Sequence, residues 1–240
     1  MVLMRMNTPK FTPVACILGV ALVGGLALAE DKKQERPDTI TYIVNVADSS
    51  ASKAEAGTFV KVDDPEAAEL AKFGSRLIER IGGLLVAEVN RELTNKEVVD
   101  SIDVMHLKQL ELPKPLPGQP KVTAIKRTSS MLRDPANTPD AADQAALDRI
   151  HLQLMNNEAP DKLIVQKIEH KDQPTEWRVY RPIATTQSCL ACHGDPEKFT
   201  PAVRELLNRR YPGDKAIDYS RQEYRGVLRV SLQAPEPAKK

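Results

Sequence analysis

The 240-residue sequence predicts an α+β fold in which helices precede an antiparallel sheet. Apolar residues recur at helical spacing between residues 70 and 89 and again between 98 and 110. Strand-like segments rich in β-branched residues then follow, separated by polar or glycine- and proline-containing turns; they span residues 121–129, 163–168, 176–183 and 225–232. Two of these segments are joined only by a polar turn, which favours antiparallel pairing.

The N-terminus predicts export. Arg5 and Lys10 precede an apolar run over residues 14–28, and this run ends in Ala27-Leu28-Ala29, a signal-peptidase pattern. We therefore expect residues 1–29 to be a signal peptide cleaved after Ala29, and the mature chain to lie in the periplasm or otherwise outside the cytoplasm. The run holds about fifteen residues where a membrane span needs about twenty. An uncleaved signal anchor is the alternative, and the only membrane attachment expected.

Composition narrows the class of partner. The formal net charge is +1 with both signs interspersed, and no basic stripe carries aromatic residues, so a nucleic-acid partner is not expected. Of the three cysteines, Cys16 would leave with the signal peptide. The remaining two, Cys189 and Cys192, do not make the disulfide framework of a small secreted domain.

The first part of the mature chain is predicted to be an extension followed by helices. Residues 30–62 form a partly disordered extension with short strands at 39–46 and 58–62. An acidic start at Asp63-Asp64-Pro65 opens a helix to about Arg91. The Gly82-Gly83 pair inside it indicates a kink or a close backbone approach. Thr94 to Glu97 has the pattern of a capping box for a second helix that ends near Leu110.

The second part carries the sheet. Prolines predict a semi-rigid linker over residues 113–120, after helices spanning 63–112. The sheet then occupies 121–235, interrupted by a helix capped at Thr138 or Asp140 and a short helix over 200–210. Residues 236–240 are a tail, and 63–235 is predicted to be one domain.

One motif carries chemistry, Cys189-Leu190-Ala191-Cys192-His193. This C-x-x-C-H spacing is the attachment signature of a c-type haem, in which two thiols bind the porphyrin edge and the histidine ligates the iron. A second such motif is absent from the sequence, so one haem is expected. The alternatives are a zinc site, which wants four ligands, a redox-active dithiol, and a chance match in a loop.

The second axial ligand stays open at this level. At about 100° per residue, Met105 and His106 both fall near the apolar face of the helix over 94–110. The remaining candidates are Met131, His151, Met155 and His170, or a vacant or water-bound position. Arg127 and Arg133 are candidates for pairing with the haem propionates, or for surface salt bridges. Trp177 and Tyr180 are candidates for packing on the ring, or in the core.

Between Thr123 and Leu232 the chain resembles a family of single-haem c-type cytochromes and haem sensor domains with a PAS-like fold. The stretches that carry the resemblance are Arg127-Thr128-Ser129 with Leu132 to Asp140, Tyr180 to Ile183, Cys189 to Pro196, Tyr211 to Ala216 with Tyr219, and Arg225-Gly226. The resemblance implies a PAS-like antiparallel sheet with N-terminal helices packed against it, one covalent haem c, and a proximal iron ligand in His193.

The sequence departs from this family at a position that matters. Where the family commonly has a cysteine that ligates the iron, in a pattern like A-I-x-V-C, this chain has Ser101-Ile102-Asp103-Val104-Met105. Positional similarity therefore favours Met105 as the distal ligand, with His106 as the alternative. A thioether would raise the reduction potential relative to a thiolate. Asp134 and Ser220 also depart from the family pattern, at positions of less consequence.

Three functions fit these residues. The first is an exported mono-haem protein active in redox chemistry, through electron transfer or redox response with a partner protein. The second is a haem-based gas or redox sensor module that signals to a separate partner. The third, a haem enzyme such as a peroxidase, needs a distal acid–base group, and no residue stands out for that role. A non-catalytic protein is therefore expected.

Overall fold

The computed structural model describes residues 56–105 and 112–235, and only the backbone of residues 103–105. The signal peptide with its cleavage site, the strand over 39–46, His106 and the tail over 236–240 therefore lie outside the described residues. Among the helices described, none combines the length and the hydropathy needed to cross a membrane.

The centre of the fold is one antiparallel sheet of five strands. Their spatial order is β1-β3-β4-β5-β2, and every neighbouring pair runs antiparallel. The strands are β1 (Thr58–Val60), β2 (Lys121–Thr128), β3 (Ile164–Ile168), β4 (Glu176–Ala184) and β5 (Tyr224–Gln233). The helices are α1 (Ala68–Asn95), α2 (Val98–Met105), α3 (Ala141–Met155), α4 (Leu190–His193) and α5 (Pro201–Arg210). The predicted α+β class is confirmed.

Helix α1 covers one face of the sheet. Its buried residues include Leu70, Ile78 and Ile81, which pack against a row of apolar side chains on β4 and β5. Gly74 is the point of closest approach, because a Cβ built there would lie 2.7 Å from Cγ2 of Val179. Trp177 is buried in this same cluster. The predicted N-terminal helix thus owes its position to the alternating apolar side chains of the sheet.

Two local predictions about this helix can be compared with the structure. A Cβ at Gly82 or Gly83 would meet no atom within 4 Å, so the close backbone approach, one of the two alternatives for this pair, is not found there. The capping box is wrong: α1 continues to Asn95, and the Thr94 hydroxyl donates to the Asn90 carbonyl inside that helix, at 2.7 Å. The extended backbone of Lys96 ends α1, and α2 begins at Val98.

Charged side chains tie α3 to the opposite face of the sheet. Asp140 caps α3 through the Asp143 backbone, and Asp143 is completely buried. Arg229 of β5 donates to Asp143 Oδ1 at 2.9 Å, and Lys126 of β2 contacts Oδ2 at 2.9 Å. Arg178 of β4 pairs with Asp140 at 2.6 Å. Cations on three strands therefore meet carboxylates at the start of one helix.

These ion pairs predict acid sensitivity of the fold. Burial acts to raise the pKa of Asp140, but hydrogen bonds from Arg178 and the Asp143 amide outweigh it and hold that pKa at about 2. A carboxyl whose folded pKa lies below its unfolded value of about 3.8 stabilises the fold above that value and stops doing so as pH falls toward 2. The urea midpoint should therefore drop between about pH 4 and pH 2.

The variant Asp140→Asn should flatten this part of the pH profile and lower the midpoint at pH 7, since it removes the charge that Arg178 contacts. Asp148→Asn is the matched control, because Asp148 lies on the same helix and its carboxylate accepts only from Gln144. Equal profiles for the two variants would contradict the prediction.

Candidate functional site

The paired cysteines and the histidine lie on a single turn of helix directly after β4. Thr185 ends the strand, and its amide donates to the Glu223 carbonyl at 2.9 Å. A 3-10 turn over Gln187–Cys189 leads into α4, and Gly194 follows it. A Cβ at Gly194 would sit 2.7 Å from the Leu190 carbonyl oxygen, so this position requires glycine. The short turn thus brings the whole motif to one place.

Cys189, Cys192 and His193 line the same pocket, which lies at one end of the sheet on the face that α1 covers. Three arginines line it with them. The pocket encloses about 970 Å³ of empty space, part of it open to solvent. Its further lining residues are Val89, Ile102, Thr128, Ser129, Leu132, Asp134, Asn137, Ser188 and Tyr211; the arginines are Arg127, Arg133 and Arg225. The structure therefore brings together the three motif residues and both arginines that the sequence selected.

The imidazole of His193 is held at one nitrogen and left open at the other. Nδ1 lies 2.7 Å from the Ala216 carbonyl oxygen, and since a carbonyl only accepts, Nδ1 carries the hydrogen. Nε2 has no hydrogen bond within the described part of the chain. Burial first, and then Arg133 and Arg225, push the pKa of His193 well below its usual value. The ring is therefore neutral at pH 7, with a lone pair on Nε2.

Arg127 is a cation without a carboxylate partner in the described residues. It lies on β2 opposite Leu228, on the α1 face of the sheet, and its side chain is half-buried. Burial, followed by repulsion from Arg225 and Arg133, lowers the pKa of its guanidinium to about 10. An arginine in this state favours an anionic ligand, because an anion would offset both causes of the shift.

The other two arginines have protein partners. Arg133 Nε donates to Asp214 Oδ2 at 2.9 Å, and its Nη2 donates to the Cys192 carbonyl. Arg225 donates to the Met131 carbonyl at 2.9 Å and lies 5.3 Å from the centre of the Tyr219 ring. Each still contributes positive charge to the pocket. Arg225 was not selected as a site residue from the sequence, although Arg225-Gly226 is one of the stretches that carry the family resemblance.

The two cysteines differ in their surroundings. Cys189 is half-exposed, and its sulfur lies 3.3 Å from the Thr186 amide, which donates to it, and 3.2 Å from the Thr186 hydroxyl. Cys192 is 5% exposed, and burial raises the pKa of its thiol. Both are free thiols.

Other residues selected from the sequence lie elsewhere. Trp177 and Tyr180 are buried in the two clusters on either side of the sheet, and neither lines the pocket. Met155 is exposed at the end of α3, and His170 lies near Glu176. Met105 is the last residue of α2, three residues after Ile102, which does line the pocket; the side chain of Met105 is not described.

The alternatives for the motif find no support in the described residues. No group of three or more histidine, cysteine, aspartate or glutamate side chains there is placed to hold a metal ion. The described sheet is antiparallel throughout, so no βαβ unit of the kind that carries a redox dithiol surrounds the motif.

The fold and the pocket define an α+β protein with a paired-cysteine and histidine site. A family model described as Tll0287-like matches residues 87–233, more than half of the chain, and the chain belongs to this family. The solved crystal structure of the cyanobacterial heme-protein Tll0287 is similar at 21% identity and a TM-score of 0.36, over 48% of this chain and 63% of that one. The alignment thus spans less than two thirds of that structure. No curated protein matches.

The two thiols should react at different rates in the haem-free protein. We expect iodoacetamide to label Cys189 about tenfold faster than Cys192, because the thiolate reacts and burial both shields Cys192 and disfavours its thiolate. Peptide mass spectrometry over time measures the two rates. In urea the rates should converge, which serves as the control. Equal rates in the folded protein would contradict the difference in burial.

Proposed function

We propose that this chain is an exported protein that binds one haem c through Cys189 and Cys192, with His193 as an axial ligand, and that it acts in electron transfer or redox response. The observation that carries the proposal is that both thiols, a neutral imidazole and an arginine without a carboxylate partner in the described residues line one pocket. Membership in the Tll0287-like family supports it, since the protein Tll0287 is described as a heme-protein.

The donor set fits this cofactor. Haem c needs two free thiols with two residues between them, and both cysteines are free and line the pocket. It needs a neutral imidazole with an open nitrogen, and His193 Nε2 meets this requirement. When bound, the group supplies an iron that exchanges one electron between its ferrous and ferric states.

Charge in the pocket fits the periphery of the same cofactor. A haem carries two propionate carboxylates, and a guanidinium pairs with a carboxylate through two parallel hydrogen bonds. Arg127 is the best placed for this contact, because the described residues leave it without a carboxylate partner. Arg133 is already bonded to Asp214 and to the motif, so its part is to hold the site and to add positive charge.

Met105 stays the proposed distal ligand, with His106 as the alternative. Residues three apart on a helix lie on the same side of it, and Ile102 lines the pocket three residues before Met105. The family resemblance also favours this position, where a cysteine is common. A methionine there gives a six-coordinate iron suited to electron transfer, whereas a vacant position suits a sensor that binds a gas.

Export, partner and fold family complete the proposal. The signal peptide predicted over residues 1–29 supports a location in the periplasm or otherwise outside the cytoplasm. The proposed function also requires a redox or signalling partner there, because the iron must exchange electrons or pass on a signal. The PAS-like assignment rests on the resemblance between Thr123 and Leu232. The alternative function, a haem-based gas or redox sensor, uses the same site.

The proposal is tested with the full chain expressed together with a haem-maturation system. Covalent haem should remain with the protein on a denaturing gel, and should be lost when Cys189 and Cys192 are both replaced by serine. Oxidised and reduced absorption spectra of the wild type and of Met105→Ala then define the axial ligands. The matched control is Met155→Ala, an exposed methionine on α3.

Each spectral result decides one question. A methionine-to-iron charge-transfer band that disappears only in Met105→Ala supports ligation by His193 and Met105, and electron transfer. An unchanged spectrum excludes Met105 and directs attention to His106. A five-coordinate iron in the wild type supports the sensor instead. The absence of covalent haem in the wild type would overturn the proposal.

Arg127 provides a second test. Replacing it with glutamine removes one positive charge beside the cofactor, and this loss favours the ferric state. The midpoint potential should therefore fall by about 20–60 mV, which corresponds to about 0.5–1.5 kcal/mol for a partly screened charge. Lys121→Gln, an exposed residue on the same strand, is the control and should leave the potential unchanged. Spectroelectrochemical titration measures both. Equal potentials for the two variants would remove Arg127 from the haem environment.

A further inference from the structure

A chain of hydrogen bonds links the imidazole of His193 to a buried ion pair. The Ala216 carbonyl accepts from His193 Nδ1 at 2.7 Å, and the Ala216 amide donates to Asp214 Oδ1 at 2.8 Å. Asp214 Oδ2 accepts from Arg133 Nε at 2.9 Å. The side chains of Arg133 and Asp214 are 13% and 11% exposed. The contacts therefore run from a nearly buried carboxylate, through the backbone of Ala216, to the ring.

The segment that carries Ala216 is fixed at both ends. Before it, the Lys215 amide donates to the Leu132 carbonyl at 2.8 Å. After it, the amides of Asp218 and Tyr219 donate to the carbonyls of Gly194 and His193, each at 2.9 Å. Ala216 itself is completely buried, so water does not replace its carbonyl as the acceptor for His193.

We propose that Asp214 is a positioning residue for His193: it holds the Ala216 peptide so that the carbonyl fixes the ring orientation and the Nδ1–H tautomer. This inference rests on the proposed function, in which Nε2 ligates the iron. A carbonyl held in place at Nδ1 keeps the ring oriented and makes Nε2 a stronger donor to a metal.

The role of Arg133 follows from the same geometry. Its Nη2 donates to the Cys192 carbonyl and to the Ala216 carbonyl, the latter at 3.3 Å, while Nε holds Asp214. One guanidinium thus contacts the motif, the acceptor of the histidine and the carboxylate that orients it. Arg133 and Asp214 act as one unit, although 81 residues separate them in the sequence.

The test compares Asp214→Ala, Asp214→Asn and Asp134→Asn. Alanine removes both contacts of the carboxylate, whereas asparagine keeps an acceptor for the Ala216 amide and opposes Arg133 with a donor. Asp134 also lines the pocket, but its carboxylate accepts from the Ala136 amide and has no bond to the His193 unit. Asp134→Asn therefore removes a charge from the same pocket without disturbing the hydrogen bonds among His193, Ala216, Asp214 and Arg133.

The first measurement uses the haem-free full chain. Nitrogen-15 NMR of the imidazole should show the Nδ1–H form in the wild type and in Asp134→Asn. The fraction with hydrogen on Nε2 should rise several-fold in Asp214→Ala and less in Asp214→Asn. If Asp214→Ala folds and its Nδ1–H fraction equals that of the wild type, the inference is overturned. If Asp214→Ala does not fold, the same result in Asp214→Asn overturns it.

The second measurement uses the haem-loaded protein. The midpoint potential of Asp214→Asn should rise by more than that of Asp134→Asn, because a displaced Ala216 carbonyl is a poorer acceptor at Nδ1 and weakens donation from Nε2, in addition to the change in charge. Equal shifts in the two variants would mean that Asp214 affects the potential only through its charge, and this result would overturn the inference. A wild type that takes up no haem defeats the proposed function, while the NMR result still judges the role of Asp214.

Discussion

The distribution of positive charge over the two faces of the sheet is the constraint on which the site depends. Lys126 and Arg127 are neighbours on β2, and strand alternation sends them to opposite faces. Lys126 lies opposite Arg229 on the neighbouring strand β5, and on that face both cations contact Asp143. Arg127 lies opposite Leu228 on β5, on the face covered by α1.

The two faces balance their charges differently. On the α3 face, the cations Lys126, Arg178 and Arg229 contact Asp140, Asp143 and Glu176. In the pocket, the three arginines have one ion pair among the described residues, between Arg133 and Asp214. Clustered cations in a half-buried site are unfavourable unless an anion joins them. The charges of the first arrangement are balanced within the described residues, whereas the excess positive charge of the second favours an anionic group.

The sequence was a good guide wherever a periodic pattern was buried on one side. The strands and α1 appear within a few residues of their predicted bounds, because alternation and helical spacing reflect which side faces the core. Arg127 carried a readable signal as well: it follows Ile125 by two residues, so a charge occupies the apolar face of a strand. Arg225 gave no such signal, because β5 carries a second arginine, Arg229, with a purely structural part.

Non-local contacts were beyond the sequence. The hold on His193 comes from residues 214–219, a segment without regular secondary structure, in which the Ala216 carbonyl and the amides of Asp218 and Tyr219 make contacts that depend on no particular side chain. The capping box at Thr94 failed for a related reason: the local pattern was correct in type, but the helix before it continued through Thr94. A local sequence pattern does not show whether Thr94 caps a new helix or continues the helix before it.

The motif itself lies on a 3-10 turn and a four-residue helical turn after the end of β4, and such short turns have little stability of their own. Its order comes instead from outside: Tyr219 and Asp218 bind the carbonyls of His193 and Gly194, and Arg133 binds that of Cys192. The fold therefore presets the histidine and the two sulfurs before any group binds. In the proposed function, covalent attachment through the two thiols would retain the haem in a pocket that is partly open to solvent.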